Sequence, residues 1–163
     1  MPTVLIADDE IDHRELLKLA LHRLGFDVVT ACDGDGAIEA LSHGGVDAAL
    51  IDVRMPGGSG IDLCQRIRTD PDTRDLPIMV VSADVHRHQI MTALHAGADD
   101  FLAKPFTRAE LTSRLQDLLR QRNNAAVRSA AAARAALLAA RQAVPPVTAI
   151  KREEQQVAYR HTA

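Results

Sequence analysis

Four short stretches carry side chains that could do chemistry together: Asp8, Asp9 and Glu10 in "IADDE", Asp52 in "LIDVR", Ser82 in "MVVSAD" and Lys104 in "FLAKPF". Lys104 sets the problem. It stands between an apolar run and a proline, where an ammonium either points at solvent or meets carboxylates, because a buried lysine without partners loses its proton. Crowded carboxylates repel one another, so a cluster of Asp8, Asp9 and Asp52 either keeps a proton or recruits a cation. A hard divalent ion with oxygen ligands suits such a cluster. Mg2+ suits it best, because it keeps several waters and needs only one or two carboxylates. With that charge at hand, the Asp52 carboxylate can attack phosphorus and form an aspartyl phosphate. Lys104, a compact point charge, would pair with Asp52 at rest and with a phosphoryl oxygen afterwards. Ser82 can offer its hydroxyl to a second phosphoryl oxygen.

These residues meet only if the fold brings them to one place. Five apolar runs, "TVLIA" (3–7), "DVVTA" (27–31), "AALID" (48–52), "IMVVSA" (78–83) and "DFLAK" (100–104), are rich in β-branched or aliphatic residues and bounded by Gly, Pro or Asp, as strands are. Between them lie helical patterns: "HRELLKLALHRLG" stopped by Gly25, "DGAIEALSHGG" stopped by Gly44 and Gly45, "GIDLCQRIRTD" ended by Pro71, and "HRHQIMTALHAG" stopped by Gly97. A fifth helix opens at Thr107, with Glu110 three residues on completing a capping box. Continuous apolar strands, each followed by a crossover helix, predict an α/β fold: a doubly wound, five-stranded parallel sheet in (βα)5 order with helices on both faces. Such a sheet binds its ligand at the carboxyl ends of the strands, where the winding direction reverses. Asp8, Asp9, Asp52, Ser82 and Lys104 all fall at or just past those ends.

Composition agrees. Net charge is −3 over 163 residues, yet residues 1–122 hold 13 Lys+Arg against 20 Asp+Glu, whereas residues 123–163 hold 6 against 2. One acidic domain with a basic appendage is expected. Cys32 and Cys64 lack metal-ligand spacing and are expected to be free thiols. The first residues have no basic leader, and no stretch approaches the ~20 apolar residues of a membrane span, so a cytoplasmic protein without membrane attachment is the expectation.

Taken together, "IADDE", "LIDVRMPGGSGIDLC", "MVVSAD" and "GADDFLAKPFTRAEL" resemble the receiver domain of two-component response regulators, over residues 1 to about 122. The resemblance implies a flavodoxin-like receiver fold of the stand-alone type. It implies that Asp52 accepts a phosphoryl group from the phosphohistidine of a sensor histidine kinase or a phosphotransfer protein. By the same resemblance, Asp9 and Asp8 hold Mg2+ directly and through water, with Asp52 and the backbone carbonyl of Arg54 as further ligands. Ser82 and Phe101 match the hydroxyl and aromatic switch positions, where the hydroxyl moves toward the phosphoryl group and the ring turns inward. Lys104 and Pro105 match a Lys-Pro pair that the family often holds in cis. Arg54, Ala83 and Asp84 would flank the pocket, with Arg54 and Asp84 placed to pair across its mouth and small Ala83 leaving room for the phosphoryl group.

Taken singly, each of these signals has an ordinary explanation. A lone "DD" is usually a helix cap or a solvated turn, and Phe101 on its own reads as a core aromatic. His86, His88 and His95 lack the same-face spacing of helical metal ligands and read as surface. The glycines of "MPGGSG" are followed by no Walker lysine and read as loop glycines. An aspartate-nucleophile phosphatase would carry a second acid two residues after the nucleophile, where this chain has Arg54. No catalysis beyond self-phosphorylation and its hydrolysis is therefore expected.

Beyond the receiver, residues 125–143 include eleven alanines and no Gly or Pro until Pro145. The fifth helix is expected to continue from about Arg108 to about Ala143, about 54 Å at 1.5 Å per residue. Residues 123–144 form that Ala-rich extension, and 145–163 a polar tail. Leu119, Ala126, Ala130, Ala133, Leu137, Ala140 and Val144 step like a packing seam, so a homodimer or a partner helix docked through the fifth helix is expected. Asp100 and Arg114 are candidates for a dimer contact. The alternative function is a transcriptional regulator whose basic tail contacts DNA. The tail lacks a second packed core with a turn between helices, so a DNA-binding domain is not the favoured reading.

Overall fold

The computed structural model describes residues 1–121 and the single position Leu137, which is helical and exposed. The remaining seam positions beyond Gln121, the Ala-rich extension and the polar tail lie outside the described residues. The element order is β1 (Thr3–Ala7), α1 (Ile11–Arg23), β2 (Asp27–Ala31), α2 (Gly34–Ser42), β3 (Ala48–Asp52), α3 (Gly60–Thr69), β4 (Ile78–Ser82), α4 (Arg87–His95), β5 (Asp100–Ala103) and α5 (Arg108–Gln121). All strands pair in parallel, in the order β2-β1-β3-β4-β5. The expected doubly wound (βα)5 sheet is the one observed. Its winding reverses between β1 and β3, which places the ligand crevice of such a sheet at their carboxyl ends.

Every strand but the edge strand β2 is buried on both faces, so alternate residues feed two cores. Leu5, Ala7, Ala49, Ile51, Val80 and Phe101 pack under α2, α3 and α4, against residues such as Leu41, Ile67 and Ile90. Val4, Ile6, Leu50, Met79, Val81 and Leu102 pack on the other face under α1 and α5, against Leu17, Leu21, Leu111, Leu115 and Leu118. Each fully buried aliphatic side chain contributes ~1.5–3 kcal/mol relative to exposure, so the sheet centre is the rigid platform from which the strand ends project.

Local chemistry sets the ends of the elements. Asp33 caps α2 by accepting the Gly36 N–H at 2.7 Å, so the helix opens at Gly34, one residue before the apolar pattern suggests. Ser59 and Asp62 make a reciprocal capping box on α3. The Glu110 N–H donates to Thr107 Oγ1 at 3.1 Å at the start of α5, as expected there. β4 and β5 each stop one residue short of their apolar runs. At β4 the reason is visible: the Asp84 N–H donates to Ser82 Oγ at 3.0 Å and turns the chain out of the sheet.

The opposite edge is closed by ion pairs. Arg68 on α3 donates to the carbonyls of Gly97, Arg74 and Leu76 and to Asp99 Oδ2, tying α3 to the starts of β4 and β5. Arg114 on α5 donates to both oxygens of Asp100, at 2.6 and 2.8 Å, and Asp100 is 1% exposed. The pair offered by the sequence as a contact between copies is thus joined within one chain.

Candidate functional site

Parallel register brings the polar residues level. Ala7 lies opposite Ile51, Asp52 opposite Val81, and Ser82 opposite Ala103. Asp8, Asp52, Ser82 and Lys104 therefore leave adjacent strands β1, β3, β4 and β5 at one edge, beside the point where the winding reverses.

Asp52 is buried, and both of its oxygens are engaged. Lys104 Nζ donates to Oδ2 at 2.6 Å, and the Arg54 N–H donates to Oδ1 at 3.0 Å. The question posed by Lys104 is answered by geometry: the ammonium reaches from the end of β5 past β4 to the carboxylate at the end of β3. Its side chain is 21% exposed and that of Asp52 11%, so the pair is short, partly desolvated and still open to an incoming group. The Lys104–Pro105 peptide is cis, and Pro105 is exposed next to it.

Asp8 is the most enclosed acid of the site, at 1% exposure. Its Oδ1 accepts the Glu10 N–H at 2.9 Å, its Oδ2 contacts His13 Nδ1, and its backbone carbonyl accepts from Arg14 Nη1 at 2.7 Å. Asp9 is exposed and faces a cleft of about 600 Å3 that it shares with Arg54, Met55, Ser82, Asp84 and Gln89. Ala83 lies exposed between Ser82 and Asp84. Arg54 and Asp84 do flank one opening, but Asp84 Oδ1 accepts the His86 N–H at 3.1 Å, and no pair with Arg54 forms among the described residues. Phe101 does not line the cleft. Its ring is fully buried in the core beneath α4. His86, His88 and His95 are exposed, as their spacing suggested.

Sequence reasoning missed His13. One ligand atom each from Asp8, His13 and Asp52 lies within 4.8 Å of the others. Donors at ~2.0–2.2 Å from a common ion stand at most ~4 Å apart, so these three are close to the span of one coordination sphere. The residues present fit a divalent cation: two carboxylates converge, with Asp9 at the cleft mouth to join them. The signal that could have exposed His13 is its place five residues after Asp8, in the first turn of a helix that starts beside the acids.

Three comparisons bear on this arrangement. The family profile of the response regulator receiver domain matches residues 4–116. The phosphate regulon transcriptional regulatory protein PhoB of Escherichia coli is 34% identical over 124 residues, covering 76% of this chain and 54% of PhoB. The chain spans about half the length of the curated relatives it matches. Among solved structures, the chemotaxis protein CheY4 of Vibrio cholerae is 28% identical with a TM-score of 0.70, over 72% of this chain and 98% of that one. The response regulator TrrA of Thermotoga maritima, solved in complex with Mg2+–BeF, is 32% identical with a TM-score of 0.65, over 72% of this chain and 99% of that one. The chain belongs to the response regulator receiver family of two-component signalling.

Proposed function

We propose that this receiver is phosphorylated on Asp52 by a sensor histidine kinase or a phosphotransfer protein, and signals by protein contact. The observation that carries the reading is the 2.6 Å Lys104–Asp52 pair beside buried Asp8, at the sheet edge where the winding reverses. An Asp52 oxygen attacks the phosphorus of the donor phosphohistidine, the P–N bond breaks, and the imidazole leaves with the electron pair. Lys104 then passes from the carboxylate to a phosphoryl oxygen, which preserves its charge pairing throughout. Ser82 gives up the Asp84 N–H and turns its hydroxyl to a second phosphoryl oxygen. Phe101, already inward, keeps the space behind Ser82 closed. Asp8, Asp9, Asp52 and the Arg54 carbonyl would hold Mg2+, which neutralises the charge gathering on the phosphoryl group. The neighbour solved with Mg2+–BeF supports that assignment. Self-phosphorylation and slow hydrolysis are the only catalysis in this reading.

The organisation follows the same reading: residues 1–122 as the receiver, 123–144 as an extension of α5 that pairs with a second copy or a partner helix, and 145–163 as a polar tail. The alternative, a transcriptional regulator whose basic tail contacts DNA, draws on the description of PhoB as a transcriptional regulatory protein. The alignment covers only 54% of PhoB, so the likeness speaks to the receiver half and leaves protein contact favoured.

The test is labelling by a small acyl phosphate. Wild-type protein takes up phosphoryl groups from acetyl phosphate only with Mg2+ present, and Asp52→Asn abolishes uptake. Labelling that persists unchanged in Asp52→Asn removes Asp52 as the acceptor and the proposal with it.

A further inference from the structure

We infer that His13 gives the acidic pocket a nitrogen ligand, so that the site takes a borderline divalent ion of the first transition row as well as Mg2+. The inference rests on reading this pocket as the divalent-cation site of a receiver. It starts from the geometry: one donor atom from each of Asp8, His13 and Asp52 falls within 4.8 Å of the others. No other group of three His, Cys, Asp or Glu side chains converges in this way among the described residues.

Each donor is held by its own element. The Glu10 N–H fixes Asp8 through Oδ1, which leaves Oδ2 turned to the His13 ring. Asp52 is fixed by Lys104 and by the Arg54 N–H. His13 sits in the first turn of α1 with 21% of its side chain exposed, so the ring borders solvent and an entering ion can reach it. An ion seated among the three replaces the contact between His13 and Asp8 with two bonds to itself. The donor set is then one imidazole and two carboxylates. Mg2+ takes oxygen ligands, whereas imidazole suits the row from Mn2+ increasingly well up to Cu2+, and Zn2+ as well. The carboxylates serve both classes of ion, and His13 serves only the second.

Tighter binding of transition ions alone proves nothing, because affinity for them rises along the row at any nitrogen or oxygen site. The diagnostic quantity is the effect of His13 on one ion compared with the other. Calorimetric titration of the unphosphorylated protein with Co2+ and with Mg2+ is run on wild type and on His13→Leu. The variant should lose at least ~10-fold more in Co2+ affinity than in Mg2+ affinity, because with Mg2+ it forfeits only the hold of His13 on Asp8, whereas with Co2+ it forfeits a ligand as well. Equal losses for both ions would show that His13 only holds Asp8 in place and would overturn the inference, as would no loss for either.

A second measurement uses wild-type protein, so it stands even where the variant folds poorly. Pulsed EPR of protein loaded with one equivalent of Mn2+ should show coupling to an imidazole nitrogen. Absence of that coupling overturns the inference, and so does coupling that survives in a folded His13→Leu protein. Acetyl phosphate labelling of wild type in Mg2+ tests the receiver reading independently of His13, so the failure of one is distinct from the failure of the other.

Discussion

Gly60 offers a perturbation whose size the structure gives directly. It is the first residue of α3, and its N–H donates to the Val53 carbonyl at 2.8 Å, drawing the helix start onto the end of β3. A Cβ added there would stand 2.1 Å from the carbonyl oxygen of Asp52, 2.8 Å from its carbonyl carbon and 2.9 Å from Ile51 Cγ2. Real Cβ atoms essentially never come within 3.0 Å of a neighbour, so in Gly60→Ala the gap to the Asp52 oxygen must open by about 0.9 Å. The obstacle is backbone and cannot rotate aside. The start of α3 and the end of β3 must therefore move apart, and the share taken by β3 carries Asp52 away from Lys104 on β5 and Asp8 on β1. A misplacement of ~1 Å costs reactions ~100-fold, and overpacking costs ~1–3 kcal/mol of stability. We expect the rate of Mg2+-dependent labelling by acetyl phosphate to fall ~100-fold in Gly60→Ala, with the unfolding free energy from urea titration lowered by ~1–3 kcal/mol but a protein still folded without denaturant. A labelling rate indistinguishable from wild type in a folded variant would refute the claim that Gly60 sets the position of the acceptor.

Two further outcomes follow from other groups. Arg54 is exposed at the mouth of the cleft and has no ion-pair partner among the described residues, so it is free to cover an acyl phosphate on Asp52. Arg54→Ala should shorten the lifetime of the phosphorylated protein, read as decay of the label after donor removal, and equal lifetimes in the two proteins would count against it. Cys64 is buried on the inner face of α3, and burial pushes its thiol up from 9.0 to about 12, with the Arg68 charge opposing part of that rise. At pH 8 a thiolate-selective reagent should modify exposed Cys32 promptly and Cys64 only on unfolding, as peptide mass spectrometry would show. The sign for stability is equally fixed: the contribution is whole below pH 9.0 and is lost as pH climbs from there toward 12, because only the unfolded chain releases the proton early.

The fold was legible because its signals are local and repeated. Runs such as "AALID" and "IMVVS" are apolar at every position but the last, and such runs separated by helices leave few sheets other than a parallel one. Strand ends were legible for the same reason, and with them Asp8, Asp52, Ser82 and Lys104. Two things were not. His13 belongs to the site because α1 starts three residues after Asp8 and its first turn leans over the acid, a direction fixed by the Glu10 N–H bond rather than by any run of residue types. Asp84 was expected to face Arg54, but the turn after Ser82 hands its carboxylate to His86, two residues on. Both are consequences of where a loop points, which periodicity does not record.

The chain contains the dipeptide Asp-Asp twice, at Asp8-Asp9 and at Asp99-Asp100, and the two have opposite uses. Their composition is identical, so strand polarity must separate them. Asp99 and Asp100 stand at the amino edge of the sheet, just before and at the start of β5. There Asp99 accepts from Arg68 and from the Ile78 N–H, and Asp100 accepts from Arg114 and the Phe101 N–H. Asp47, at the same edge before β3, accepts the Thr3 N–H at 2.8 Å. Each of these acids is engaged by neighbours already in the fold, so each closes a strand start. At the carboxyl edge the supply runs the other way. Asp52 meets Lys104 and the Arg54 N–H, Asp8 meets the Glu10 N–H and the His13 ring, and Asp9 stands exposed at the cleft beside them. With Asp84 and Arg54 at the cleft mouth counted in, four carboxylates face Lys104 and Arg54, so negative charge stays in excess, and such an excess is stabilised by a bound cation. The same residue type therefore reads as structure where each acid meets its own partner and as a binding site where acids outnumber them.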